Sequence, residues 1–133
     1  FLPAPAFKEG KVTERLRQYE TDLVVLAGFL LRVPNDMLEA YPNQIVNIHP
    51  SLLPKFGGKG MYGSKVHEAV LAAGETESGI TIHYINEHYD EGAIILQAQC
   101  PVIAGDTPDA LASRVHQLEY EHYPQVIEQL LAQ

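Results

Sequence analysis

A short apolar segment at residues 22–27 constrains the fold of this chain more than any other feature. The segment reads DLVVLA and is followed by Gly28. A run this short, rich in branched side chains and closed by a glycine, predicts a β-strand that is buried on both faces. Such strands occur mainly in parallel sheets that helices cover, so we expect an α/β protein.

Helical and strand patterns alternate around this segment. Residues 8–20 place Val12, Leu16 and Tyr19 at helical spacing among charged residues, which predicts an amphipathic helix. Pro34 begins a short helix that runs to about Tyr41. Residues 45–49 (IVNIH) then form a second short strand.

The second half of the chain continues with a helix, two consecutive strands and a long helix. Ser64 is expected to cap a helix that ends at Gly74. Strands are predicted at residues 80–85 and 93–102, and the last helix opens at Thr107, with Pro124 kinking or splitting it. The whole pattern predicts a mostly parallel sheet flanked by helices, with an antiparallel strand near the end.

Composition narrows the class of protein and the partners. The 133 residues fit one domain, and 9 Lys and Arg against 17 Asp and Glu give a formal charge of −8. This acidity argues against nucleic-acid binding driven by phosphate neutralisation. The sequence has no apolar run near the ~20 residues that cross a bilayer, so we expect no membrane partner. Cys100 is the single cysteine, which fits a reducing compartment, and we expect a cytoplasmic protein.

Asn47 and His49 are the first candidate functional pair. Residues two apart in a strand project to the same side, so both face one edge of the sheet. An Asn carboxamide can stabilise a developing oxyanion, and an imidazole can move a proton at neutral pH. Alternatively, Asn47 satisfies a backbone group and His49 is a half-buried core residue. Spacing alone favours that second interpretation.

An acidic turn at residues 86–92 (NEHYDEG) is the second candidate. If Asp90 approached His49, it would stabilise the imidazolium, as a general acid requires. The alternative is that these carboxylates only solvate a hairpin loop. Sequence spacing does not decide whether the two residues meet.

The other histidines do not have the spacing of metal ligands. His83 and His88 are five apart on a strand pattern, and His116 and His122 are six apart on a helix pattern, so each pair is split between faces. His67 is followed by Glu68, but no H-E-x-x-H occurs. We therefore expect no metal site.

A glycine-rich loop, residues 56–60 (FGGKG), lacks the spacing of a P-loop. The remaining functional interpretation of this loop is a flap beside a substrate.

Five segments, in the same order, resemble the phosphoribosylglycinamide formyltransferase family, folate-dependent enzymes of purine synthesis. They are DLVVLAGF (22–29), NIHPSLLPKF (47–56), HEAVLAAG (67–74), SGITIHYINEHYDEGAIILQ (78–97) and GDTPDALASRVHQLEYEHYP (105–124). The resemblance implies a Rossmann-like formyltransferase fold. It also implies transfer of the formyl group of 10-formyltetrahydrofolate to the glycyl amine of glycinamide ribonucleotide, with no metal.

The family's site residues map onto matching positions. The resemblance implies a catalytic trio of Asn47, His49 and Asp90, in which the first two stabilise the oxyanion and Asp90 keeps His49 charged. Glu119 matches the residue that binds the glycyl amine, and Pro50 and His116 lie where the family holds the ribonucleotide. The implied folate-binding residues are Leu30, Leu31, Arg32, Val33, Asn47, Asn86, Glu87, His88, Tyr89 and Asp90.

Three alternatives stay open at this point. Methionyl-tRNA formyltransferase shares the trio but carries an additional tRNA-binding domain, and formyltetrahydrofolate hydrolase usually reads N-I-H-H-S-F-L-P where this chain has Pro50 and Leu52. A catalytically silent folate-binding module is the third.

The family's first strand and its phosphate-binding glycine loop have no counterpart in this sequence. The resemblance therefore implies that residues 1–133 are a single truncated domain that lacks the N-terminal part of the fold. We expect this catalytic and folate-binding part to be inactive or nearly so by itself. Its expected partners are the two small-molecule substrates, and a homodimer stays open.

Overall fold

The computed structural model describes residues 10–27, 33–58, 60–86 and 92–132. These residues form one four-stranded sheet with helices around it, and the strands follow one another across the sheet in chain order. The elements are α1 (Lys11–Gln18), β1 (Val24–Ala27), α2 (Asn35–Ala40), β2 (Ile45–His49), α3 (Ser64–Ala72), β3 (Glu77–Tyr84), β4 (Ile94–Pro101) and α4 (Pro108–Leu131). Within these ranges no helix is both long and apolar enough to span a bilayer.

The sheet is mixed. β1 and β2 are parallel, with Val24 opposite Ile45, whereas β3 runs antiparallel to both β2 and β4. The predicted α/β class is confirmed, and so is the predicted antiparallel strand near the end, because β1, β2 and β4 run in one direction and β3 runs against them. The reason for the reversal of β3 is that the connection through α3 enters β3 at the end of the sheet where β2 finishes, so the chain is not carried back to the start of β2.

The prediction that β1 is buried on both faces is wrong for this structure. Val24 is 9% exposed, but its neighbour Val25 is 41% exposed. In the described residues β1 pairs only with β2, so it lies at an edge of the sheet and buries one face. The apolar run therefore predicted the strand correctly, but it did not determine whether other residues cover each face of that strand.

Two apolar clusters pack on the sheet, and β2 contributes to both because its side chains alternate between faces. Val46 and Ile48 join the larger cluster, together with side chains of α3, β3 and α4. Ile45 joins the smaller cluster, in which Val33 and Met37 lie. All five residues of β2 are buried as a result.

The helix boundaries differ from the predicted ones in three places. Ser64 is the first residue of α3 and makes no capping hydrogen bond, since Gly63 occupies the N-cap position. Tyr19 lies beyond α1 and is 75% exposed, so it does not extend the buried face of that helix. Pro124 does not split α4, which continues from Pro108–Leu131. Pro124 has no backbone N–H, so one hydrogen bond within the helix is lost. The carbonyl group that would have accepted this hydrogen bond belongs to Tyr120, which is exposed, so water can donate to it instead.

Tyr123 ties the long helix α4 to the parallel pair of strands. Its hydroxyl donates to the carbonyl oxygen of Leu26 at 2.6 Å and lies 3.4 Å from that of Val46. Burial raises the pKa of the Tyr123 hydroxyl above its usual value, so the group stays a neutral donor. One phenol thus links α4 to β1 and β2.

Replacing Tyr123 with Phe should lower the free energy of unfolding by about 1–2 kcal/mol, because the Leu26 carbonyl loses its buried donor. Urea unfolding of the wild type and the variant measures this difference. Tyr120→Phe is the matched control, since Tyr120 lies on the same helix and is 77% exposed. Equal losses in the two variants would contradict the assignment.

Candidate active site

A cavity of about 380 Å³ lies at the carboxyl ends of the two parallel strands. Ala27 ends β1 and His49 ends β2, and both line this cavity. Ligands of open α/β sheets bind at this edge of the sheet. The loop before α3, α3 itself and the first turns of α4 form the remaining walls.

Asn47 and His49 enter the cavity from the same side of β2. They are buried, at 7% and 4% exposure. The Asn47 Oδ1 atom is buried and makes no hydrogen bond within the described part of the chain. Because a buried polar atom without a partner costs about 1–3 kcal/mol, this oxygen is an acceptor that a donor in the cavity could satisfy.

The ring of His49 is held by the backbone of the loop that follows β2. Its Nε2 atom donates to the carbonyl oxygen of Phe56 at 2.8 Å, and a carbonyl oxygen only accepts. Nε2 therefore carries a hydrogen, and Nδ1 is the ring nitrogen that gains or loses the proton when the charge of the imidazole changes. The backbone of Phe56 has a φ of 56°, which is unusual for a residue with a side chain.

The start of α4 is fixed at the cavity wall by two local interactions. Thr107 caps the helix by accepting from the Ala110 N–H at 3.1 Å. Asp106 receives two hydrogen bonds from the Arg114 guanidinium, at 2.8 and 3.1 Å. Arg114, and then the Ile103 N–H, hold the pKa of Asp106 below its usual value, so this carboxylate stays ionised.

His116 and Glu119, one turn apart on α4, both line the cavity. His116 Nδ1 lies 3.1 Å from Glu119 Oε2, and their side chains are 52% and 22% exposed. The His116 ring also stacks on Tyr120, with centroids 6.5 Å apart. The structure thus brings five of the sequence-predicted site residues to one cavity: Asn47, His49, Pro50, His116 and Glu119.

His67 is a cavity residue that sequence reasoning missed. It projects from α3, is 3% exposed, and its Nδ1 atom makes no hydrogen bond to any residue that the structure describes. Burial lowers its pKa below 6.5, and the nearby His116 and His49 lower it further. A usable signal was present in the sequence, because His67 falls in the buried stripe of α3 with Val66 and Val70.

Other predicted site residues lie elsewhere or outside the described ranges. Val33 is 4% exposed in the smaller apolar cluster, and Asn86 follows β3 without lining the cavity. Seven predicted residues fall outside the described residues: Leu30, Leu31, Arg32, Glu87, His88, Tyr89 and Asp90. No group of three or more His, Cys, Asp or Glu side chains that could hold a metal ion occurs among the residues described.

Comparison with known proteins gives a consistent result. Residues 4–127 match the formyl transferase family. A phosphoribosylglycinamide formyltransferase from Arabidopsis thaliana, named as chloroplastic, is 48% identical over 125 residues, which are 94% of this chain and 43% of that protein. The phosphoribosylglycinamide formyltransferase of Bacillus subtilis (strain 168) is 41% identical over 123 residues, which are 92% of this chain and 60% of that protein.

A solved structure agrees with these sequence matches. Glycinamide ribonucleotide transformylase 1 from Symbiobacterium toebii has a TM-score of 0.83 and 42% identity, and the match covers 96% of this chain and 57% of that one. The chain therefore spans less than two thirds of the length of each of these relatives.

Replacing His67 with Gln should reduce the pH dependence of stability on the acid side of neutrality. The folded state resists protonation of His67 and the unfolded state does not, so wild-type stability falls as the pH drops through 6.5 towards the lower pKa of the folded state. Urea unfolding at about pH 7.5 and about pH 5.5 measures the slope. His122→Gln, on α4 and outside the cavity lining, should keep the wild-type slope. An unchanged slope in the His67 variant would contradict the assignment.

Proposed function

The chain belongs to the formyl transferase family, and we propose that its protein transfers the formyl group of 10-formyltetrahydrofolate to the glycyl amine of glycinamide ribonucleotide. The observation that carries this proposal is the position of Asn47 and His49. Both lie on the carboxyl end of β2 and line one cavity with Glu119. A carboxamide, an imidazole and a carboxylate around a cavity are the groups that an amine acylation needs.

The proposed reaction is nucleophilic addition followed by loss of the folate nitrogen. The amine nitrogen bonds to the formyl carbon, and the formyl oxygen becomes an oxyanion. Asn47 and the protonated His49 stabilise that oxyanion by hydrogen bonding. The bond between the formyl carbon and N10 of the folate then breaks, and the proton lost by the attacking amine goes to N10. His49 exchanges a proton at Nδ1, because Nε2 is held by the Phe56 carbonyl.

Asp90 completes the proposed trio. A carboxylate near the His49 ring favours its charged form, which is the better hydrogen-bond donor to an oxyanion. We assign this role on the resemblance of the NEHYDEG turn to the family. The same resemblance supports folate binding by residues 30–33 and 86–90.

Glu119 is proposed to bind the glycyl amine before reaction. Its carboxylate lines the cavity and lies next to the His116 ring, so an ammonium group could replace or share that contact. His116 and Pro50 are proposed to contact the rest of the ribonucleotide. The transferase is favoured over the hydrolase because Pro50 and Leu52 follow the transferase pattern.

The cellular location is part of the proposal. A single cysteine fits a reducing compartment such as the cytoplasm, whereas the Arabidopsis relative is named chloroplastic. Fractionation of the source cells would separate these locations.

Asn47→Ala and His49→Ala should each lower kcat/KM for formyl transfer by about 100-fold or more, since each removes a group that stabilises the transition state. The assay is a stopped reaction of the full-length protein with both substrates, and circular dichroism confirms folding. His122→Ala is the control, because His122 does not line the cavity. Near-native kcat/KM in either cavity variant would refute the mechanism. Folate binding without turnover in the wild type would favour a silent binding module.

Glu119→Gln should raise KM for the amine substrate by about tenfold and leave KM for the folate unchanged, because a charge-assisted hydrogen bond to the ammonium is lost. Glu121→Gln provides the matched control, since its side chain is 66% exposed on the same helix. Steady-state kinetics with each substrate varied in turn measure both constants. An equal rise in both KM values would place Glu119 outside the amine site.

A further inference from the structure

We propose that Thr81 and Gln97 are positioning residues that hold the His49 imidazole in its reactive orientation, acting through the loop that follows β2. Neither side chain belongs to the catalytic trio, and both project from the antiparallel strands β3 and β4. The inference rests on the proposed function, because it assigns a purpose to the orientation of His49.

The Thr81 hydroxyl uses its whole hydrogen-bonding capacity on the loop and on Gln97. It donates to the Ser51 carbonyl oxygen at 2.7 Å. It accepts from the Leu53 N–H at 3.0 Å and from Gln97 Nε2 at 3.0 Å. A hydroxyl group has one donor and two acceptor positions, so every one of them is occupied.

Gln97 reinforces the same segment. Its Nε2 atom also donates to the Leu53 carbonyl oxygen at 2.9 Å. Leu53 is therefore held at both its N–H and its carbonyl group, and its side chain is 5% exposed. The strands β3 and β4, which carry none of the predicted catalytic residues, thus fix the middle of the loop.

The fixed loop continues to the carbonyl that holds the ring. The Ser51 hydroxyl donates to the Lys55 carbonyl oxygen at 2.7 Å and lies 3.5 Å from that of Phe56. The Lys55 N–H closes the turn on the Leu52 carbonyl oxygen at 3.2 Å. The Phe56 carbonyl, which accepts from His49 Nε2, is therefore placed by a segment anchored on Thr81.

The sheet register strengthens this connection. Thr81 is the direct partner of His49 across the β2–β3 pair. Side chains of directly opposed residues share a face of the sheet, so the hydroxyl and the imidazole lie on the same side. Thr81 thus holds the loop from the position opposite His49 on the neighbouring strand.

The packing of Thr81 does not by itself explain the residue type. Thr81 is fully buried, between Ile80 and Ile82, which are fully buried as well. Valine has the same shape and would avoid the cost of burying a hydroxyl group. The hydroxyl is accounted for by the loop atoms that it binds.

The experiment compares Thr81→Val, which keeps the shape and removes the hydroxyl, with Thr81→Ser, which keeps the hydroxyl. In the full-length protein we expect Thr81→Val to lower kcat by about 100-fold with little change in either KM, as a displaced catalytic group would. Thr81→Ser should recover most of the loss. Gln97→Ala should show a smaller loss in kcat, and Gln99→Ala, two residues along the same strand, should show none.

Nitrogen-15 NMR of the imidazole separates this proposal from the proposed function. The wild type and Thr81→Ser should show the Nε2–H form of neutral His49, and Thr81→Val should show a mixture of tautomers. If the wild type transfers no formyl group, the proposed function fails while the NMR comparison still decides the positioning role. If Thr81→Val retains both wild-type kcat and the wild-type His49 spectrum, the positioning role is refuted. Should Thr81→Val fail to fold, Gln97→Ala against Gln99→Ala decides by the same two measurements.

Discussion

The central constraint on this structure is that β2, a strand whose residues are all buried, carries two polar side chains near its carboxyl end. Asn47 and His49 occupy alternate positions in a strand whose five residues are all buried. A buried polar group needs a partner, and here the partner of the His49 ring is a backbone carbonyl of the following loop. The loop must therefore have a defined conformation, and the buried Thr81 of β3 together with Gln97 of β4 provides it.

The long helix α4 combines stability and chemistry in one element. Leu111 and Val115 are fully buried in the larger apolar cluster, and Tyr123 binds the backbone of the parallel strands. His116 and Glu119 lie on the part of the same helix that faces the cavity. Because the apolar side chains fix how the helix packs, they also fix where the two polar side chains meet the strand ends.

Much of the fold could be predicted from local patterns. The short strands at the IVNIH and DLVVLA segments, the helix after Pro34 and the helix after Thr107 all occur close to their predicted positions. The failures have a common cause. The exposure of Val25 and the continuity of α4 at Pro124 depend on which neighbours each element has, and periodicity does not report neighbours.

The sequence by itself determined the elements, the pairing of Asn47 with His49 on one side of a strand, and, through its motifs, the family. The elements and the pairing depend on residues that are close in the chain. The family follows from segments that can be compared directly with those of its members. Only the tertiary structure decided that His67 joins His49 and His116 at one cavity, and that the Thr81 hydroxyl binds the Ser51 backbone. Such contacts join residues on separate elements, so they form only when packing of the apolar faces has set the position of each element.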